Sequence, residues 1–130
     1  MAQVATDQAV KDLLDQLVAA WDNQDADGYA NLYTPDTVVA TTGNVTNGRD
    51  KLRAFMTAGF AGPLKGTKSV EEVQQIRFIT NDVAVVSAVS GFILPGETSV
   101  REAIARNATW VITHTEDGWK VASYHNSPTK

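Results

Sequence analysis

The chain changes texture once, near residue 67, and that change limits its architecture more than any single motif does. Before it, from Thr6 to Trp21, the apolar residues Val10, Leu13, Leu14, Leu17, Val18 and Trp21 recur in steps of three and four, which predicts a helix with one buried stripe. Thr6 or Asp7 can cap its free amides. After "DNQDADG", the "YANLY" stretch puts Tyr29, Leu32 and Tyr33 at helical spacing, so a short second helix is expected to stop at Pro35. "TVVATTG" reads as a strand on its β-branched residues and "GNVTNG" as a turn. A third helix is expected from about Arg49 to Gly59, with Leu52, Phe55 and Met56 on one side. Beyond "GPLKGT" the helical spacing disappears. Three long β-rich stretches follow, Ser69 to Phe78, Val83 to Leu94 and Arg101 to Thr115, closed by Trp119 to Asn126, with turn signals at "TND", "PGETS" and "EDG". Helices first and strands later imply an α+β domain with its helices on one face of a mostly antiparallel sheet.

Composition removes several function classes. A length of 130 residues suits one domain spanning 1–130. With no cysteine and two histidines, neither a thiolate nucleophile nor a transition-metal site is expected, and no cofactor is implied. The net charge of −4 and the scattered basic residues argue against nucleic acid. No apolar run is long enough for a membrane span and no secretory signal pattern opens the chain, so a cytoplasmic protein is expected.

The order of elements, with "AAWDNQDADGYANLYTPD", "NGRDKLRAF", "NDVAVVSA" and the terminal "DGWKVASYHNS", resembles the nuclear transport factor 2-like superfamily. Within it the chain is similar to the SnoaL-like branch of the SgcJ/EcaC type, and also to ketosteroid isomerase and the calmodulin-dependent kinase association domain. The resemblance covers nearly the whole chain. It implies a cone, in which a strongly curved, mostly antiparallel sheet wraps around three N-terminal helices in the cystatin-like manner and leaves a pocket inside. The superfamily includes isomerases, dehydratases, cyclases, epoxide hydrolases and oligomerisation modules, so the fold alone fixes no activity.

Alternation along the strands then sorts residues into an inner and an outer face. If Asp117-Gly118 forms a two-residue turn, Trp110 lies beside His125. If Glu116 to Gly118 form a three-residue loop with Gly118 left-handed, Trp110 pairs with Tyr124 and Ala108 with Asn126. The similarity of "EDGW" to the kinase association domain implies the second arrangement. Arg106, Trp110, Tyr124 and Asn126 then face inward, while Trp119, Val121 and His125 lie on the convex face, where the two large apolar groups call for a partner subunit and hence a homodimer.

"SVEEVQQIRF" holds adjacent carboxylates on opposite faces, and the resemblance to ketosteroid isomerase implies that Glu72, Gln74 and Ile76 face inward. Burial would then raise the pKa of Glu72 and fit it for general base work; the plain alternative is a salt bridge to Arg106 or a carboxylate in water at the mouth. Tyr33, Phe55, Phe60, Phe92, Trp110 and Tyr124 supply an aromatic cup, against the alternative of simple core packing, which applies most to Trp21 and Phe55. The resemblance aligns Thr41 and Trp110 with the two catalytic carboxyl groups of ketosteroid isomerase, and neither residue can perform those roles. The expected function is binding of a small apolar or aromatic, polyketide-like metabolite. Its chemical form is a cofactor-independent isomerase or cyclase with Glu72 as base, Tyr124 and Asn126 as oxyanion donors, Arg106 as an anion anchor and Trp110 with Phe92 as walls. The rival is a non-catalytic oligomerisation or ligand-carrying module.

Overall fold

A computed structural model describes residues 5–130. Helix α1, Asp7–Asp22, opens on Thr6, whose hydroxyl accepts the Ala9 N–H at 3.1 Å. Its stripe of Val10, Leu13, Leu14 and Leu17 is buried. Asp25 caps α2, Ala26–Ala30, by accepting the Gly28 N–H. This helix is shorter than the spacing of Tyr29, Leu32 and Tyr33 predicts. Tyr33 instead begins β1, Tyr33–Thr41, where it lies opposite Val121 and is 1% exposed. Pro35 does not end the element, because it falls where the β1 pairing is irregular, between Tyr33 and Val38, and no ladder donor is required there.

The expected turn "GNVTNG" contains a further strand. Thr41 pairs with Asn44 around a two-residue reversal in which Gly43 has φ +76°, and β2, Asn44–Asn47, returns along β1. Helix α3, Arg49–Ala61, runs two residues past its expected end. The long strands are β3, Lys68–Thr80; β4, Val83–Ile93; β5, Arg106–Thr115; and β6, Gly118–Pro128. The first five residues of the stretch expected as Arg101 to Thr115 form a turn, with the Ile104 and Ala105 amides donating to the Arg101 carbonyl. The sheet order is β2-β1-β6-β5-β4-β3, antiparallel except for the β1–β6 pair. It curls strongly around the helices, as the α+β cone requires, and the core lies between α1 and the inner residues Ala84, Val86, Trp110 and Ile112.

Two irregularities decide which side chains face inward. On β6, Gly118 (φ +100°) pairs with Thr115 and Val121 with Ile112, but Ser123 pairs with Val111, so Ala122 is an extra residue. The turn is therefore Glu116-Asp117, not the three-residue loop. The bulge supplies the missing residue further along, and Trp110 still meets Tyr124, as Ala108 meets Asn126. The convex placement of Trp119 and Val121 is overturned: they precede the bulge, point into the core and are 6% and 0% exposed. His125 does lie outward and exposed, opposite Thr109. The bulge is held from β1, where the Thr37 hydroxyl donates to the Ala122 carbonyl at 3.0 Å.

On β3, Val73 pairs with Ala88 and Gln75 with Ser87, leaving Gln74 as the extra residue. Ile76 and Phe78 face the core, as their pairing with Val86 and Ala84 shows. Alternation carried back from Ile76 would bring Glu72 inward. The bulge reverses it, so Glu71 pairs with the inner Ser90 while Glu72 is exposed beside Val89.

Candidate functional site

Between the concave sheet and the helices lies a cavity of about 320 Å³, at the lower end of the range of about 300–1,000 Å³ usual for small-molecule sites. Its back wall is the Trp110–Tyr124 pair, ring centroids 4.1 Å apart, brought together by direct cross-strand pairing. One side is the Trp21–Phe92 stack at 5.9 Å, with the Trp21 indole N–H donating to the buried Thr67 hydroxyl at 2.9 Å. Tyr33 donates to the Tyr29 hydroxyl at 2.9 Å. Phe55 on α3 lines the cavity while 49% exposed, which places it at the lip.

Polar groups cluster at the sheet end. The Ser90 hydroxyl donates to Glu71 Oε2, and the Asn126 amide donates to the Tyr124 hydroxyl at 2.9 Å. Burial pushes the Glu71 carboxyl up from its ordinary value to about 7, partly offset by the Ser90 hydrogen bond. Burial, and then the nearby Glu71, raise the Tyr124 phenol, with the polar Ser90 side chain, the Asn126 hydrogen bond and the Arg106 charge acting the other way. Tyr29 and Tyr33 are raised mainly by burial. All three phenols therefore stay protonated near neutrality and can donate hydrogen bonds. Asn126 Oδ1 and Trp110 Nε1 are buried without a partner, leaving hydrogen-bonding capacity on either side of Tyr124. Among the described residues no three His, Asp or Glu side chains gather in a way that could hold a metal.

Of the residues singled out from sequence, Tyr33, Phe55, Phe92, Arg106, Trp110, Tyr124 and Asn126 all line this cavity. Two do not. Phe60 is 7% exposed behind Trp21, edge-on at 5.5 Å, and belongs to the core because it lies on the α3 face turned toward α1. Glu72 is exposed outside the sheet because of the Gln74 bulge, and Glu71 occupies the inner position. Sequence reasoning missed Ser90, whose only sign is its place in the alternation Ala84, Val86, Ala88, Ser90. Trp21, assigned to packing, also borders the cavity.

Comparison with solved structures agrees with this architecture. A domain of unknown function with a cystatin-like fold from Nostoc punctiforme is 25% identical, with TM-score 0.88 over 99% of this chain and 80% of that one. A putative calcium/calmodulin dependent protein kinase II association domain from Xanthomonas campestris is 24% identical, TM-score 0.79, covering 98% and 93%. A ketosteroid isomerase-like protein from Erwinia carotovora atroseptica is 16% identical, TM-score 0.70, covering 95% of each chain. Among curated proteins none matches the sequence. The SnoaL-like domain model matches residues 2–125, so the chain, whose described residues form a curled sheet, three helices and a hollow between them, belongs to the SnoaL-like family of the nuclear transport factor 2-like superfamily.

Proposed function

We propose that the cavity binds a small, largely apolar or aromatic metabolite of polyketide-like character, and that Glu71 exchanges a proton with it in a cofactor-independent isomerisation or cyclisation. The observation that carries this reading is the placement of Glu71, hydrogen-bonded by Ser90 inside an apolar cavity that the Tyr124 phenol also lines, where burial pushes the carboxyl up to about 7 and keeps the phenol protonated. Such a carboxyl populates both forms near neutrality, the condition under which one group serves as base in one step and acid in the next. Tyr124, with Asn126 behind it, is suited to donate to an oxygen on which charge develops. The test is solvent deuterium exchange at the α-carbon of a panel of aryl and cyclic ketones, followed by NMR. The wild-type protein is expected to exceed the buffer rate, Glu71→Gln to lose about 100-fold or more, and Tyr124→Phe to lose less. Exchange no faster than buffer, or unaffected by Glu71→Gln, removes the reading.

A second reading, a non-catalytic oligomerisation or ligand-carrying module, draws on the outer face of the sheet. Val85, Val89 and Val111 are half-buried there beside Ser87 and Thr109, an uncharged strip that a second copy of the chain can cover. These residues take the part first given to Trp119 and Val121. Sedimentation of the wild-type protein should give a homodimer and Val85→Lys a monomer; a monomeric wild type removes the dimer.

A further inference from the structure

Glu71, Ser90 and Arg106 stand in one row across β3, β4 and β5. Glu71 lies opposite Ser90 and Ser90 opposite Arg106, and all three line the cavity. With strands about 4.8 Å apart, the outer two backbones are about 10 Å from each other. The acid and the cation do not pair, and among the described residues no acidic side chain forms an ion pair with Arg106. The guanidinium is nonetheless held in place, because Nη1 donates to the carbonyls of Ala103 at 2.9 Å and Ala105 at 3.1 Å. A half-buried, oriented cation without an anion, bordering an apolar hollow, is a site that an incoming anion completes. Two residues beyond Ser90 on the same face of β4 is Phe92, stacked on Trp21.

Resting on the reading of the cavity as a small-molecule site, we infer that its ligand is an aromatic or alicyclic carboxylate. The carboxylate sits on Arg106, the ring lies against Phe92 and Trp21, and the carbons between them pass Glu71. That arrangement brings the carbons adjacent to the carboxylate, and not a remote ring position, to the proton-exchanging group. It also sets a charge requirement. Ser90 from β4, Tyr124 from β6, Tyr33 from β1 and Tyr29 from α2 act on or are acted on by Glu71, and Arg106 from β5 stands one strand further along the row. Asp22 on α1 is turned to the Ser69 amide at 2.7 Å, and α3 contributes Leu52, Phe55 and Met56 to the cavity. The phenols keep their protons, so Glu71 is the group whose ionisation repels a bound carboxylate.

The experiment is an NMR-detected titration of the full chain with 2-naphthoate, 2-naphthamide and naphthalene at about pH 6 and about pH 8. At the lower pH, naphthoate should bind about tenfold or more tighter than the amide. Arg106→Gln should abolish that advantage and Arg106→Lys retain part of it, with spectra of both variants confirming the fold. Naphthoate affinity should fall several-fold at the higher pH in the wild type and stay level in Glu71→Gln. Equal affinity for naphthoate and the amide, or a preference that survives Arg106→Gln, overturns this inference and leaves the apolar cavity reading standing. Failure of all three probes overturns both.

Discussion

The raised Glu71 carboxyl makes a stability prediction that needs no substrate. A carboxyl whose titration moves from 4.5 to about 7 on folding keeps its proton in the folded protein over a span where the unfolded chain releases it. At about 1.36 kcal/mol per pH unit, that span amounts to roughly 3 kcal/mol. The folded state binds more protons here, so the stability is fully present below 4.5, declines as pH rises, and is gone above about 7. Glu71→Gln keeps the shape and an acceptor for Ser90 but cannot ionise. The two proteins share every other side chain, so the difference between them reports residue 71 alone. Urea unfolding of the two proteins should therefore show the variant gaining roughly 3 kcal/mol on the wild type between about pH 4.5 and about pH 8. For a chain of this length that equals about 10 °C in melting temperature. A stability difference that is the same at both pH values would mean that Glu71 ionises alike in the folded and unfolded chains, and would refute the reasoning.

Gly91 permits close approach of the segment before β5, since a Cβ there would stand 2.6 Å from Val100 Cγ1; Gly91→Ala should cost about 1–3 kcal/mol in urea unfolding. Tyr33→Phe removes the donor to the buried Tyr29 hydroxyl and should cost about 1–2 kcal/mol by the same measurement. Thr67→Val leaves the Trp21 indole N–H unpaired, with an expected loss of about 1–2 kcal/mol and a change in tryptophan emission.

The elements legible in the sequence were those whose neighbours impose a regular period. The α1 stripe of Val10, Leu13, Leu14 and Leu17 and the β4 alternation of Ala84, Val86 and Ala88 each pack against one continuous surface, so spacing alone reveals them. The aromatic wall was legible for a related reason: Trp110 and Tyr124 are large, lie on opposed strands and have few places to go. Tyr33 was misread because its helical spacing from Tyr29 is real, yet the open edge of β6 captures its backbone, with the Val121 amide donating to the Leu32 carbonyl at 2.8 Å. β2 was hidden by turn-forming residues that also tolerate a short edge strand.

The two bulges were illegible, and they are also what divides the sheet into a core and a site. Neither Gln74 nor Ala122 carries a glycine or proline to mark it; each is extra only because a curved partner strand offers one residue fewer at that point. On β6, strict alternation from Trp119 and Val121 would send Ser123 and His125 inward and turn Tyr124 and Asn126 out to solvent. On β3, strict alternation from Ile76 and Phe78 would send Glu72 inward and turn Glu71 out. With the bulges, each strand buries apolar side chains at one end and presents polar ones to the cavity at the other. The same concave face can then be dry against α1 and chemically equipped beneath Phe55, and a single extra residue per strand is sufficient to switch between the two.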